Sequence, residues 1–265
     1  MARRVKRALR YRFHPTEEQA AQPSRTFNCV RLVDNRALEE RTRARYAQQR
    51  RVSYAETSAM LTECKRKEPV FSGEVSSVPL QQALRHVQVA FVNCFAKRAE
   101  YPTFKSKKKS RVSAEYTRSA FKWRDGWLNL ATMREHWRIV WSRPLPEGAE
   151  PSTVTVSRDA AGRRSVSILC VDAITRPAPS EWAVGVDAGV TSPVTLSTGE
   201  KVADPRHERR DRERLAKAHE DLTRKAKGSK NRDKARQRVA RNHARIADRR
   251  RDFLHKITTR LVREK

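Results

Sequence analysis

One carboxylate stands where it could hold a metal ion. In VGVDAGV, Asp187 closes a short apolar run that begins at Ala183 and is followed by Ala188 and Gly189, so its side chain would project from the end of a strand at a tight turn. Two readings fit. An Asp before a turn often does no more than shape it by bonding the backbone that follows. The other reading is that the first strand of an RNase H-like fold offers this carboxylate to divalent metal for phosphodiester hydrolysis. That chemistry needs several acids converging on ions about 4 Å apart, because one carboxylate cannot hold two dications against their mutual repulsion. Asp187 therefore needs partners. The seven histidines include no H-x-x-x-H pair, and Cys29, Cys64, Cys94 and Cys170 are scattered without a C-x-x-C pair. No zinc site or disulfide framework is expected, and the cysteines read as buried free thiols.

The second chemistry is cationic. The 265 residues carry 59 Lys and Arg against 30 Asp and Glu, a formal net charge of +29. Such a field selects polyanions, and each phosphate neutralised releases counterions, so salt-sensitive nucleic-acid binding is expected before any motif is read. Two segments concentrate the charge. One is KSKKKSR, with Lys105, Lys107, Lys108, Lys109 and Arg111; on charge alone it reads as a solvated linker more readily than as a binding segment. The other is the last sixty residues, with 23 basic and nine acidic side chains. No membrane partner is expected: no run approaches the roughly 18 apolar residues of a spanning helix, and MARRVKRALRYRFHP lacks an apolar signal core. The chain reads as cytoplasmic and nucleoid-associated.

The elements that position these groups follow from periodicity. Hydrophobic residues make up 37% of the chain, below the roughly 45–50% of typical domains, so modest and separate cores are expected. RALRYRF, from Arg7 to Phe13, alternates as a strand does, and Thr16 then caps a helix with Glu17 and Glu18 in its first turn. Pro23 predicts a kink or boundary near Gln22. Further helices fit Asn35 to Gln49, Tyr54 to Arg66 and Leu80 to Arg98. FKWRDGWLNL reads as a hairpin over Asp125-Gly126, WRIVW as a strand, and TVTVSRDAAGRRSVSILCV as a hairpin turning at Asp159 to Gly162. These strands suggest a small barrel that the first strand could join. ITRPAPSEW reads as a linker. After it come a strand ending at Asp187, a hairpin turning at Ser197 to Glu200, and an antiparallel helical hairpin broken at Gly228-Ser229, with Leu215, Ala218, Leu222, Val239, Ile246, Phe253, Ile257 and Leu261 as its seam.

The run KAKGSKNRDKARQRVARNHARIADRRRDFLHKITTRLVRE closely resembles the helical hairpin inside the RuvC-like nuclease domain of the transposon-encoded TnpB (OrfB) family of RNA-guided DNA nucleases, relatives of type V CRISPR effectors. VGVDAGV is similar to that family's first nuclease motif. The resemblance continues in family order through TFNCVRLVDNRALEERT, SVPLQQALRHVQVAF, YPTFKSKKK and SRPLPEGAEPSTVTVSRDAAGRRSVSILC. It implies an α+β multidomain fold. Residues 1–14 would give the first strand of a wedge barrel, 15–100 a helical recognition domain inserted in it, 101–173 the rest of the barrel, 174–182 a linker, and 183–265 a partial RNase H-like (RuvC) domain with the basic hairpin. The implied partners are a guide RNA from the transposon end and a double-stranded DNA target with a short adjacent motif, base pairing carrying the sequence. KSKKKSR then becomes a backbone-contacting segment. Tyr54 and Gln81 match positions that imply duplex contact, against the alternatives that Tyr54 packs in the core and Gln81 caps the helix after Pro79. In the hairpin, Lys227, Lys230, Arg232, Arg236 and Arg249 are candidates for RNA or heteroduplex contact.

Family members with a complete nuclease continue past R-L-V-R-E into a second acid, a four-cysteine zinc ribbon and a third acid. The expectation is therefore a C-terminally truncated form. Asp187 would be its lone RuvC acid, with Mg2+ bound once the site is completed by a further segment or a second polypeptide. Three functions remain open at this level: RNA-guided DNA binding without cleavage, an RNA-guided endonuclease seen as a truncated or split chain, and a degenerate transposon remnant. Asp34, where the family usually has an aromatic, is a further departure.

Overall fold

Alternation in RRVKRALRYRF makes β1 (Arg3–Phe13), which buries Leu9, Tyr11 and Phe13 and turns Arg10 and Arg12 outward. The computed structural model describes residues 3–68, 75–107, 112–124, 126–133, 135–174 and 183–264. The chain divides into two compact units, Met1–Asp159 with Arg163–Thr175, and Ala160–Gly162 with Arg176–Lys265.

In the first unit, β1 pairs antiparallel with β7 (Arg164–Ile174) over ten residues, Arg3 opposite Ile174 and Arg12 opposite Ser165. Together with β2 (Val112–Thr117), β5 (Ile139–Val140) and β6 (Pro151–Arg158) they form an antiparallel sheet in the order β2-β6-β7-β1-β5. β6 and β7 are joined at Asp159, whose amide donates to the Arg163 carbonyl at 3.0 Å while its carboxylate accepts from the Arg163 amide at 2.8 Å. A short hairpin, β3 (Phe121–Arg124) and β4 (Trp127–Leu130), forms a separate ladder with Gly126 at φ 80. WRIVW contributes only the two residues of β5. Among the described residues no ladder joins β2 to β5, so hydrogen bonding alone leaves the sheet open.

Helices α1 (Glu17–Gln48), α2 (Tyr54–Lys67) and α3 (Ser77–Phe95) lie between β1 and β2 in the chain. Thr16 and Ser53 begin α1 and α2 with reciprocal capping boxes to Gln19 and Glu56. Of the kink or boundary expected near Gln22, the boundary is absent: α1 runs through Pro23. Pro23 is fully buried, and the hydroxyls of Ser24 and Thr26 donate to the carbonyls of Ala20 and Gln22 at 2.7 and 3.1 Å. Burial on both sides of the proline outweighs the one donor it removes. Phe27, four residues on, enters the sheet core with Tyr11, Tyr116, Val154 and Ile168. Farther along, Cys29, Val33, Ala37 and Leu38 enter a second core with Leu61, Leu80, Leu84 and Phe91. One helix thus serves both cores, which is why it is continuous. Arg36 fastens α1 to α2 through Glu68 at 2.5 and 2.9 Å. Of the four free cysteines, Cys29 and Cys170 are buried and Cys64 and Cys94 half-buried.

In the second unit, β8 (Val186–Asp187), β9 (Val194–Leu196) and β10 (Lys201–Val202) form an antiparallel sheet in the order β10-β9-β8. The Leu196 amide donates to the Glu200 carbonyl at 2.8 Å, closing the β9–β10 turn. α4 (His207–Thr223) and α5 (Lys230–Glu264) make an antiparallel hairpin about Gly228, which sits at φ 88. Ala218, Ala235, Val239, Ile246 and Ile257 are buried along its seam. Cross-pairs of Arg249 with Asp211, Arg250 with Glu208, and Arg238 with Asp221 at 3.3 Å fix the register. Among the described residues, no helix is long and apolar enough to cross a membrane.

Candidate nucleic-acid interface

α5 carries the clearest cationic surface, and its pattern separates structural cations from available ones. Arg249 reaches the buried Asp211 carboxylate. Arg232 donates to the carbonyls of Leu222 and Lys225 at 2.9 and 2.6 Å, satisfying the frayed end of α4. Arg236 pairs with Asp233 at 2.9 Å. These three expected contact residues are therefore engaged within the hairpin. Lys227, in the turn, and Lys230, the first residue of α5, are exposed and have no side-chain partner among the described residues.

Three cations were missing from the sequence reading. Lys234, Arg241 and Arg245 are also exposed without a partner among the described residues. With 3.6 residues per turn, they and Lys230 fall within about 60° of one another and about 135° from the buried seam. The signal was present in the sequence as i, i+4, i+11, i+15 spacing. Recognising it required knowing which neighbouring arginines the hairpin already uses. The stripe ends after Arg245, where Asp248 and Asp252 share its face and pair with Arg251 and Lys256 at 3.7 and 2.8 Å.

The first unit treats the other candidates unevenly. Lys105 extends its ammonium to the buried Asp34 carboxylate, and its backbone is clamped by Asn35, amide to Oδ1 at 2.8 Å and carbonyl from Nδ2 at 3.0 Å. Burial raises the Asp34 pKa above the ordinary carboxylate value and Lys105 opposes that rise. Lys107 is exposed; Lys108, Lys109 and Arg111 lie outside the described residues. Tyr54 is half-buried against the second core. Gln81 is exposed in the second turn of α3 and does not cap it. That helix starts at Ser77 rather than at Leu80, and Ser76 is its cap, accepting the Val78 amide at 3.4 Å.

Asp187 ends β8 opposite Thr195, exposed and with no side-chain partner among the described residues. The described residues contain no group of three His, Cys, Asp or Glu side chains placed to share a metal ion. The described residues do not by themselves fit a two-metal centre.

Comparison with known proteins decides the family. The profile OrfB_IS605, described as "Probable transposase", matches residues 156–265, and HTH_OrfB_IS605, a "Helix-turn-helix domain", matches residues 1–50. A protein of Streptomyces pristinaespiralis named "Putative RNA-guided DNA endonuclease" is 69% identical over 266 residues, covering 100% of this chain and 66% of its own length. The chain belongs to the TnpB (OrfB) family. A second member, "Putative RNA-guided DNA endonuclease InsQ" of Escherichia coli strain K12, is 30% identical over 263 residues, covering 95% of this chain and 62% of its own. The chain thus spans slightly under two thirds of either relative. A cryo-EM structure of the Cas12f1-sgRNA-target DNA complex aligns at a TM-score of 0.33 and 11% identity, covering 83% of this chain and 62% of that one, too weak a likeness to support a conclusion. The helix-turn-helix description does not fit this TnpB-family chain: residues 3–48 hold one strand and one uninterrupted helix.

Proposed function

We propose that these 265 residues hold a guide RNA and its DNA target for RNA-guided DNA recognition. The observation that carries this is the stripe of Lys230, Lys234, Arg241 and Arg245, a line of unneutralised charge on the outer face of a rigid hairpin. Lysine and arginine in a row contact the sugar-phosphate backbone without reading sequence, which suits a protein that delegates specificity to base pairing. Lys107, Lys227 and Gln81 extend the exposed polar surface available to the duplex. The strands of the first unit are read as a wedge barrel carrying the recognition helices, and the second unit as the opening part of a RuvC-like domain.

In this reading Asp187 is the first acid of a nuclease centre, and the carboxylates that would join it in holding Mg2+ come from residues beyond these 265, in one longer chain or in a second polypeptide. The greater length of the relatives supports that reading. The chain then binds without cutting on its own.

The test mixes the chain with RNA transcribed from the adjacent element end and with duplexes that do or do not match it, in Mg2+. The expected result is an RNA-dependent shift of the matched duplex without nicking, unchanged by Asp187→Ala. Equal retention of matched and unmatched duplex would refute guided recognition. Nicking that Asp187→Ala abolishes would show the centre to be complete in these residues.

A further inference from the structure

A cavity of about 340 Å3 opens in the first unit between the C-terminal turns of α1, the start of α2 and the second half of α3. Its wall joins an apolar face to a group of arginine side chains. The apolar part is the α3 surface, where Val92 and Phe95 are 48% and 47% exposed although both lie beside the core residue Phe91. The charged part is arginine. Arg45 and Arg51 hold their guanidinium carbons 4.8 and 5.9 Å from the centre of the Phe95 ring, and neither has a carboxylate partner among the described residues. Arg50 differs, since it pairs with Glu56 of the α2 capping box.

Deeper in, Arg41 is 7% exposed and lies 5.3 Å from the Phe91 ring centre. Its Nη2 donates to Gln88 Oε1 at 2.5 Å, but its Nε has no partner among the described residues. A buried guanidinium donor left unmatched costs stability unless something outside the fold satisfies it. The ligand that suits such a wall is anionic, carries a flat apolar body, and has an acceptor for Arg41. A duplex is too wide for a cavity at the small end of the range for ligand pockets, roughly 300–1,000 Å3. A single nucleotide fits. Its base stacks on the Phe95 ring or on the guanidinium planes ranged beside it, and its phosphate meets unpaired arginine.

We propose that this pocket takes one unpaired nucleotide of a bound RNA, the base against Phe95 and Val92, the phosphate between Arg45 and Arg51, and a base or sugar oxygen accepting from Arg41 Nε. The proposal rests on the reading that the chain binds nucleic acid, and it names a place on the first unit where backbone charge alone does not account for binding.

The test separates the base from the backbone. Two fluorescently labelled 12-unit ribose-phosphate oligomers of equal charge are compared by anisotropy on the 265-residue chain, one without any base and one with a single central adenine. The expected result is about tenfold tighter binding of the adenine oligomer, the scale of one base–aromatic stack. Phe95→Leu, which keeps bulk and apolarity, and the double variant Arg45→Gln with Arg51→Gln, should each bring that ratio close to one. Both change exposed side chains, and unchanged thermal melts confirm their folds. Neutralising Lys230, Lys234, Arg241 and Arg245 to Gln should weaken both oligomers and preserve the ratio. No adenine advantage in the wild type, or an advantage that survives both pocket changes, overturns the proposal. A preserved ratio with undiminished affinity after neutralising the stripe would instead refute the role given to α5 and leave the pocket standing.

Discussion

Neutralising the stripe on α5 should change how binding responds to salt more than how the protein folds. The fifteen residue-to-residue steps from Lys230 to Arg245 rise about 22 Å, the length of six or seven base-pair steps at 3.4 Å each. One strand therefore supplies enough phosphates along that distance for all four cations. Each phosphate contact contributes about 0.9 to the slope of log K against log salt for a duplex and about 0.7 for a single strand. The quadruple Gln variant should lower the slope by about 3.6 on duplex and about 2.8 on single strands. Between 50 and 200 mM salt, four duplex contacts amount to a loss of about 150-fold in wild-type affinity that the variant no longer shows. Anisotropy titrations of a labelled 20-base-pair duplex at four KCl concentrations measure this directly. Arg232→Gln is the control, because its guanidinium holds the Leu222 and Lys225 carbonyls. It should lower the melting temperature and leave the slope alone. A slope change below one for the quadruple variant would refute the assignment.

Three further outcomes follow from the geometry. Lys105→Met leaves the Asp34 carboxylate buried without its cation and should cost about 2 kcal/mol, less than a fully buried pair because the ammonium is half exposed. Since burial raises the Asp34 pKa, its protonated form stabilises the fold, fully below the ordinary value of 3.8 and progressively less as pH rises through the raised one. Urea melts of Lys105→Met should show a larger loss of stability than wild type as pH rises above the ordinary 3.8, and Asp34→Asn should remove the pH difference. Glu56 behaves oppositely: the Ser53 amide first, and Arg50 after it, hold its pKa down to about 2. Its contribution is present above the ordinary 4.5 and lost as pH falls through about 2, so an NMR titration should place its midpoint there and Glu56→Gln should flatten that acid limb. Gly228→Ala meets no atom within 4 Å but must adopt φ 88. It should cost about 1–2 kcal/mol through backbone strain alone, read as a lower thermal midpoint for the hairpin.

Much of this was legible in the residues themselves. The β6–β7 and β9–β10 turns, the Thr16 cap and the break at Gly228 all rest on local chemistry, and the structure has each of them. What local chemistry could not show was what lies across from a residue. Pro23 reads as a breaker until Phe27 and Val33 are seen filling two different cores along one helix. Lys105 and Lys107 look alike in KSKKKSR, but Lys105 faces a buried acid 71 positions earlier. Arg249 and Arg245 look alike in α5, yet one crosses to Asp211 and the other meets no partner among the described residues. The arginine pocket was invisible for the same reason, since α1, the start of α2 and α3 each supply a part of it.

The pairing of β1 with β7 sets an order of events during synthesis. Arg3 has its ladder partner at Ile174, and Arg12 has its partner at Ser165. At about 5–20 residues per second, the first strand waits roughly 10–30 s after its emergence for the strand that completes its sheet. The three helices between them are synthesised and can bury their own core within that interval, long before the sheet closes over Phe27. The helical insert is therefore synthesised whole before β7 emerges, and the sheet that holds β1 cannot close until that late strand arrives.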